Sequence, residues 1–385
     1  MLTIQQIDTN SPDQVNRFVD IPYRLYANCP HWLPPPRDHE ASYLNGQEHP
    51  FYEHSEADFF IAVRDGRDVG RIAVLAHALG HELYGVSEPH FYLFECEDDQ
   101  EAANALFQQA FAWARARGFN SLVGPLGFTV LDGLCLLVDG FDYPQVTTMN
   151  PYNPAYYTTL IEAAGFVQYG EDTASYHLDV ANIHLPAWVA ELAENVKQKH
   201  DLYMSNLTSI EEFLTLGPDL LQFLAIGTGN DLSRLESRYI IHQIQSMIDP
   251  RLIQVIRRRQ GGAISKRRPA EDDMAKDDIV AVTFGFPNLA TTLKQANGQV
   301  STDDLRTAMT NTTSIIANGI MIDPDYHIMG LSALLFCEMT EMARKANIQD
   351  AYMVHVGGPD NRMADDMSVL DAQPVHWHRT YAREV

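Results

Sequence analysis

A short run of small residues follows an apolar stretch late in the chain. Residues 320–322 lead into the polar turn 323–326, and Gly330, Ser332 and Ala333 open a long segment of helical periodicity. A helix N-terminus carries unpaired amide hydrogens and the positive end of the helix dipole, and small side chains let a phosphate approach the backbone. The pattern is typical of a turn that holds a pyrophosphate. Such turns also hold glycine for packing alone, so spacing by itself leaves that alternative open.

A second group of candidates lies in a segment rich in glycine, proline, aromatic residues and aspartate. It covers residues 124–133, 140–144 and 149–157. Loops of this kind can line a pocket with aromatic walls and a few polar groups. They can equally form a turn-rich cover over a sheet, and the sequence leaves both interpretations open. If a pocket forms, the residues expected to hold its substrate are Asp132, Asn150, Tyr152 and Tyr156.

Two similar series of α/β elements are predicted to position these candidates, because apolar periodicity alternates between helical and strand spacing. The first series has predicted helices at residues 12–28, 101–117 and 156–164, and strands at 59–63, 69–75, 91–96, 122–123 and 175–180. The second has predicted helices at 211–225, 235–247, 331–347 and 362–370, and strands at 252–256, 279–286, 315–322, 351–356 and 377–382. Residues 181–205 are predicted to connect the series, and residues 260–278 to form a mobile loop.

The turn His327-x-x-Gly330-x-Ser332 resembles the acyl-CoA-binding motif of the GNAT superfamily of acetyltransferases, which reads Arg/Gln-x-x-Gly-x-Gly/Ala. The preceding residues 323–326 are similar to the approach to that motif. The resemblance implies acetyl-CoA or another acyl-CoA as co-substrate. The positions that would hold it are Ile322, His327, Ile328, Met329, Gly330, Leu331, Ser332, Ala333 and Asn361.

The resemblance extends over nearly the whole chain. Asn361, Met363 and Ala364 resemble the start of the family's Asn-x-x-Ala-x-x-x-Tyr helix, residues 59–75 resemble its hairpin, and residues 153–166 resemble that same helix in the first series. The implied fold class is α/β, with two tandem GNAT-like domains whose mixed, mostly antiparallel sheets are flanked by helices. The predicted domains are residues 1–180, without CoA, and residues 181–385, with a degenerate CoA site.

Departures from the family pattern restrict these expectations. Where the first domain should carry a pyrophosphate turn, residues 95–101 hold several carboxylates, which would repel phosphate. In the second domain Ser368 stands where the family usually has a tyrosine that acts as the general acid. Ala372-Gln373 replaces the customary Gly-Phe. Protonation of the leaving thiolate by the usual residue is therefore in doubt.

Acyl transfer to an amine, as the resemblance implies, requires a group that accepts the proton of the amine. The strand at 315–322 holds no glutamate, so the base must come from Asp323, Asp325, His355 or the first domain. We predict Asp132 and His355 as the catalytic residues. A single histidine on a strand is more often structural, and that alternative stays open for His355.

Composition limits the partners and the compartment. The formal net charge of -24 disfavours nucleic acid and favours a cationic amine as acceptor. No apolar run reaches the roughly 18 residues of a membrane span, no secretory signal is apparent, and four scattered cysteines fit a reducing compartment. A cytoplasmic protein without membrane contact is predicted, and the oligomeric state stays open. His376 and His378 flank Trp377 without further ligands nearby, so no metal is predicted.

Three functions remain open from the sequence. The favoured one is a CoA-dependent N-acyltransferase that acts on a small amine. The alternative is a protein of the same fold that binds acyl-CoA or another small ligand without turnover, because the usual tyrosine is missing. A third class is a tandem aminoacyl transferase that modifies peptidoglycan precursors. That class should have a basic groove for a charged RNA, which the acidic sequence does not provide outside residues 260–278.

Overall fold

The chain is described by a computed structural model at residues 1–78, 88–129, 131–228, 232–259, 278–357 and 367–385. Side chains are described throughout these ranges except at residues 226–228, 319 and 327–329. No helix among the described residues is long and apolar enough to cross a membrane.

Alternating and continuous apolar segments form one mixed sheet of thirteen strands within the described ranges. The strands are β1 (Leu2–Gln6), β2 (Glu56–Arg64), β3 (Arg67–Ala76), β4 (Pro89–Cys96), β5 (Ser121–Gly124), β6 (Leu136–Asp139), β7 (Val167–Asp179), β8 (Leu202–Met204), β9 (Gln254–Arg258), β10 (Asp278–Pro287), β11 (Ser314–Ile322), β12 (Asp350–Val356) and β13 (Gln373–Glu384).

Segments of helical periodicity cover both faces of this sheet. The helices are α1 (Pro12–Val19), α2 (Ile21–Leu25), α3 (Arg37–Ser42), α4 (Gln100–Ala116), α5 (Tyr156–Ala163), α6 (Ala187–Lys199), α7 (Ile210–Thr228), α8 (Arg234–Ile244), α9 (Ala290–Ala296), α10 (Thr302–Asn311) and α11 (Leu331–Lys345). In the first half, residues 1–180, a core that includes Phe18 and Tyr43 packs α1 and α3 on one face, and α4 and α5 cover the other. In the second half, residues 181–385, α7 and α8 cover one face, and α6 and α11 pack on the other.

The strand order is β1-β2-β3-β4-β5-β13-β7-β12-β11-β10-β9-β8, and β6 pairs with β13 at the side of this path. The pairs β4–β5 and β11–β12 are parallel, and the other pairs are antiparallel. In each half the two parallel strands are connected by a long helix, α4 or α11, that crosses over the sheet. Parallel neighbours require a crossover connection of this kind.

The last strand of the second half lies inside the sheet of the first. Tyr381 of β13 is opposite Gly124 of β5 on one side and Gln168 of β7 on the other. The second edge of β7 pairs with β12 of the second half, with Tyr176 opposite Met353. Each half thus completes its sheet with a strand of the other half, and backbone hydrogen bonds run across the whole molecule.

Most predicted elements agree with the structure, and the differences have physical reasons. The predicted helix 12–28 is wrong: α1 ends at Val19, and α2 starts anew at Ile21 with Pro22 in its first turn, where a missing amide hydrogen costs nothing. The predicted connection 181–205 contains α6 and β8, whose apolar residues pack on α11 and β9. Residues 260–277 of the predicted mobile loop, and 362–366 of the predicted last helix, lie outside the described residues. The domain division at residue 180 stays a prediction. The strand β13 lies after this division in sequence but belongs to the sheet of the first half.

Truncation of Tyr381 tests the importance of the exchanged strand. The side chain is fully buried in the core of the first half. We expect Tyr381→Ala to lower the free energy of unfolding by about 3–4 kcal/mol, because a large aromatic side chain leaves a cavity. Urea denaturation measures the change. The matched control is Tyr169→Ala on β7, where 47% of the side chain is exposed and less than about 1 kcal/mol should be lost. Equal losses in both variants would contradict the packing described here.

Candidate functional site

The turn between β11 and α11 has the backbone that the small residues predict. The Asp323 carboxylate accepts a hydrogen bond from the Asp325 amide at 2.9 Å and starts a short 3-10 helix, Pro324–Met329. Gly330 then adopts a left-handed conformation with φ of 75°, and α11 begins at Leu331. A side chain at this position would be strained, which explains the glycine.

The surroundings of this turn decide which of its groups can meet a ligand. Leu331 and Ala333 are buried in the core beneath α6, whereas Ser332 is partly exposed in the first turn of α11. A Cβ atom on Gly330 would lie 2.9 Å from the Leu192 side chain of α6, so this glycine also serves helix packing. The packing alternative left open by the sequence therefore applies to Gly330, and its role in phosphate binding stays a prediction.

A positive group lies beside the turn. The Arg258 guanidinium on β9 donates a hydrogen bond to the Tyr326 hydroxyl at 2.9 Å. Ile322 of the predicted CoA residues is buried at the end of β11. The side chains of residues 327–329 are not described, and Asn361 lies outside the described residues.

The parallel strands β11 and β12 separate next to this turn. Their pairing runs from Ser314 opposite Asp350 to Asn318 opposite Val354 and then ends. Beyond it β11 stays paired with β10 up to Ile322, whereas β12 follows β7. The facing edges of the two parallel strands, which no longer pair with each other here, form a split that we call the β11–β12 split.

A residue of the first half closes one end of this split. The Met149 carbonyl accepts a hydrogen bond from His355 Nε2 at 2.8 Å, and the Met149 sulfur lies 3.0 Å from the Asn318 amide nitrogen. A carbonyl only accepts hydrogen bonds, so Nε2 of His355 carries the hydrogen. His355 Nδ1 lies 3.5 Å from the Thr173 hydroxyl. Desolvation lowers the pKa of His355, which keeps the ring neutral.

Two further histidines hold the same segment of the first half. Nε2 of His376 donates to the Tyr143 carbonyl at 3.2 Å, and Nε2 of His378 donates to the Pro151 carbonyl at 2.8 Å. Desolvation lowers the pKa of both rings. The three histidines therefore act as neutral donors that fix residues 143–151, which we call the clamped segment.

The two halves enclose a cavity of about 100 Å³, the interface cavity. Its apolar lining consists of Leu131, Val146, Met149, Ile240, Ile244, Met247, Phe286, Leu289, Leu293 and Ile316. Polar groups enter mainly from the first half and include His49 and Asp132. The cavity lies on the α7–α8 face of the second-half sheet and reaches Ile316, two residues before the β11–β12 split begins.

A second cavity of about 120 Å³, the first-half chamber, adjoins the interface cavity. The two share the wall residues His39, Tyr43, Leu131, Asp132 and Thr148. Asp132 is buried in this wall and accepts hydrogen bonds from the Tyr43 hydroxyl at 2.6 Å and the Thr129 amide at 2.8 Å. Burial raises the pKa of Asp132 despite these donors.

The structure brings only part of the predicted set together. Tyr152 lines the first-half chamber with Asp132. Tyr156 instead donates to the Cys96 carbonyl at 2.8 Å, and Asn150 is buried with its amide 3.4 Å from His376. Asn150, Tyr156 and His355 line neither of the two cavities.

Glu95 is a partly buried carboxylate whose surroundings the sequence analysis did not predict. It was grouped with the carboxylates of residues 95–101, although it also lies within the predicted strand 91–96, and its side chain lines the first-half chamber. One carboxylate oxygen accepts hydrogen bonds from the hydroxyls of Tyr26 at 2.7 Å and Tyr157 at 2.8 Å. Burial raises the pKa of Glu95 to about 7. Strand alternation from Leu93 to Glu95 was the signal that could have revealed it.

The carboxylates that follow Glu95 are used within the fold. Asp99 caps α4 by accepting from the Ala102 amide at 3.1 Å, and Arg67 binds Glu97 through both nitrogens. The Cys96 amide donates to the Tyr157 hydroxyl at 2.9 Å, which ties the end of β4 to α5. These contacts occupy the carboxylates within the fold, and the absence of CoA from the first half stays a prediction.

Comparisons with known proteins agree on the fold. No family model matches the chain. A bacterial ceramide synthase of Caulobacter vibrioides is 34% identical over 174 residues, 45% of this chain and 45% of that protein. Protein YghO of Escherichia coli is 27% identical over 187 residues, 49% of this chain and 47% of that protein. The matches span about half the length of these curated relatives.

A solved structure matches the whole chain. The tandem GNAT protein from the clavulanic acid biosynthesis pathway superposes with a TM-score of 0.55 at 11% identity, covering 100% of this chain and 98% of that one. The chain therefore has the tandem GNAT fold, and the predicted fold class is confirmed. The two mixed, mostly antiparallel sheets are joined into one by β7 and β13.

The neutral histidines give the stability a defined pH dependence. The folded state lowers the pKa of buried His378 well below 6.5, whereas the unfolded chain takes up its proton near that pH. The stability contribution of His378 is thus present above pH 6.5 and lost as pH falls below it. We expect His378→Gln, which keeps a donor for Pro151, to reduce the slope of unfolding free energy against pH below 6.5 by up to about 1.4 kcal/mol per pH unit. Urea unfolding from pH 7 to 5 measures it, and identical slopes would show that His378 titrates normally.

Proposed function

We propose that the chain is an acyl-CoA-dependent N-acyltransferase whose second half binds the CoA and whose interface cavity receives the amine. The tandem GNAT fold and the resemblance to a ceramide synthase, itself an N-acyltransferase, support this proposal. The observation that carries it is the β11–β12 split, which leads to a left-handed glycine and to the first turn of a long helix, where Ser332 is partly exposed.

The residues around the turn fit the phosphates of CoA. The first-turn amides of α11 and the Ser332 hydroxyl are hydrogen-bond donors, and Arg258 supplies positive charge next to Tyr326. Acyl-CoA would supply a thioester, whose carbonyl the amine attacks. Beyond Asn318, where β11 and β12 no longer pair with each other, their facing backbone groups can bind the pantetheine arm in the split.

Asp132 is the proton acceptor that we propose. It lies in the wall of the interface cavity, and its raised pKa reflects a desolvated carboxylate that gains from taking a proton. His355 has its Nε2–H committed to the Met149 carbonyl and lies outside the cavity lining. We therefore propose that His355 positions Met149 at the β11–β12 split.

The acceptor that we propose is a primary amine attached to an apolar chain. The interface cavity is lined largely by aliphatic and aromatic side chains, including Ile240, Met247 and Phe286. A ceramide synthase acylates a sphingoid base, which is an amine of this class, so that substrate is the first to test. The second candidate function is acyl-CoA binding without turnover, which the replacement of the family tyrosine by Ser368 favours.

A charge substitution at Ser332 tests the CoA site. Ser332→Glu places a carboxylate in the first turn of α11, where it suits the helix dipole but repels phosphate. We expect an affinity loss of at least tenfold for acetyl-CoA in calorimetry, with the melting temperature unchanged. Ser332→Ala is the matched control and should lose less than threefold. Gly330→Glu is less selective, because the left-handed backbone and Leu192 would also disturb the fold. Unchanged affinity in Ser332→Glu would refute this site.

Turnover is tested by CoA release with an acyl-CoA and three acceptors, namely a sphingoid base, a linear long-chain amine and a short alkylamine. We expect the long-chain amines to be acylated, and Asp132→Asn to lower kcat/KM by about 100-fold or more, because a general base is lost. The control is Asp142→Asn, which replaces an exposed carboxylate ten residues after Asp132. Its kcat/KM should stay within twofold of the wild-type value. Loss of activity in His355→Gln but not in Asp132→Asn would reverse the assignment. Tight CoA binding without acylation of any amine would favour the second candidate function.

A further inference from the structure

The first-half chamber contains charged groups that the proposed acyl transfer does not use. Its Glu95 and Arg71 lie in the half whose phosphate turn is occupied by the fold's own contacts. Burying charges is costly unless they are paired. The hydrogen bonds and ion pairs of these groups therefore show which charges are not neutralised within the fold and could be neutralised by a ligand.

Arg71 is neutralised within the fold. The guanidinium, 1% exposed, donates to the two carboxylate oxygens of Glu40 at 2.9 and 3.2 Å and to the Phe18 carbonyl at 3.1 Å. Glu95 and Asp132 have no comparable partner: each receives neutral donors only, two tyrosines for Glu95 and Tyr43 with the Thr129 amide for Asp132. The chamber therefore carries an excess of negative charge whenever these carboxylates are ionised.

One polar atom of the chamber wall is left without a hydrogen bond. Nε of Arg71 has no partner among the described residues, although the side chain is almost completely buried. Leaving such a donor unpaired destabilises the folded state, and an oxygen acceptor in the cavity would remove this cost. An ammonium ion has no lone pair to accept from Arg71, so this donor can be paired only by a water that enters the cavity with the ligand.

Aromatic rings form much of the remaining wall. The Trp32 ring stacks on Tyr26 with centroids 4.9 Å apart and an interplanar angle of 13°, and Tyr43, Tyr92 and Tyr157 complete the lining. Aromatic faces attract ammonium groups, and the attraction grows when the cation is desolvated. Aromatic walls with two ionisable carboxylates make up a site for an organic cation.

We propose that the first-half chamber binds a small primary ammonium ion, at a site separate from the CoA site of the second half. The carboxylates of Glu95 and Asp132 require N–H donors, which a primary ammonium has and a quaternary one lacks. The volume of about 120 Å³ is suited to a cation of a few heavy atoms. The burial that raises the pKa of both carboxylates would be offset by the bound charge.

The probe for the test is ethylammonium chloride, titrated at pH 8 into the full chain without acyl-CoA. The indole NMR signal of Trp32, assigned with Trp32→Phe, reports occupation of the chamber. Sodium chloride at equal ionic strength controls for screening, and tetramethylammonium tests the need for N–H donors. We expect a saturable shift with ethylammonium only.

Glu95→Gln keeps the size of the side chain and the tyrosine contacts while removing the charge, and should weaken ethylammonium binding at least tenfold. Tyr26→Phe, which removes one donor to Glu95 and keeps the ring, should change affinity less than fivefold. Glu171→Gln, an exposed carboxylate of β7, is the matched control and should bind as the wild type does. Acetyl-CoA affinity should stay within twofold in Glu95→Gln, so this result is independent of the CoA site. No saturable shift in the wild type, or equal affinity in Glu95→Gln, would overturn the proposal.

Discussion

The pairing of β13 between β5 and β7 is the constraint on which the rest of the structure depends. Because β7 also pairs with β12, backbone hydrogen bonds connect the two halves without an interruption in the sheet. This fixes the relative orientation of the halves far more rigidly than side-chain contacts between separate domains would. Residues of α3 and of α8 consequently line the same interface cavity.

The clamped segment, residues 143–151, transmits this constraint to the candidate site. It belongs to the first half by sequence, but its carbonyls are held by histidines of β12 and β13. Met149 thereby reaches both the β11–β12 split and the interface cavity. A site built in this way depends on both halves, although only the second has the features of a CoA-binding turn.

Local patterns predicted what depends on local structure. The hairpin β2–β3, the long helices and the turn at Gly330 follow from alternation, helical periodicity and the conformational freedom of glycine. The exchange of β13 could not be predicted, because strand pairing partners are set by the tertiary fold and not by the strand's own residues. The inward direction of Glu95 was missed although the end of β4 was predicted, because its partners Tyr26 and Tyr157 are far away in sequence. Asp132 lines both cavities while its role stays a prediction, and most of its neighbours in space come from residues far away in sequence.

The exchanged strand also bears on how the chain is made. During synthesis the ribosome releases β1 to β7 long before β13, since the entire second half lies between β7 and β13. Until then β5 and β7 each expose an unpaired edge, and such edges readily join other chains. The sheet of the first half therefore stays incomplete until β13 has been synthesised. The yield of folded protein in cells should then depend on chaperones that shield those edges during translation.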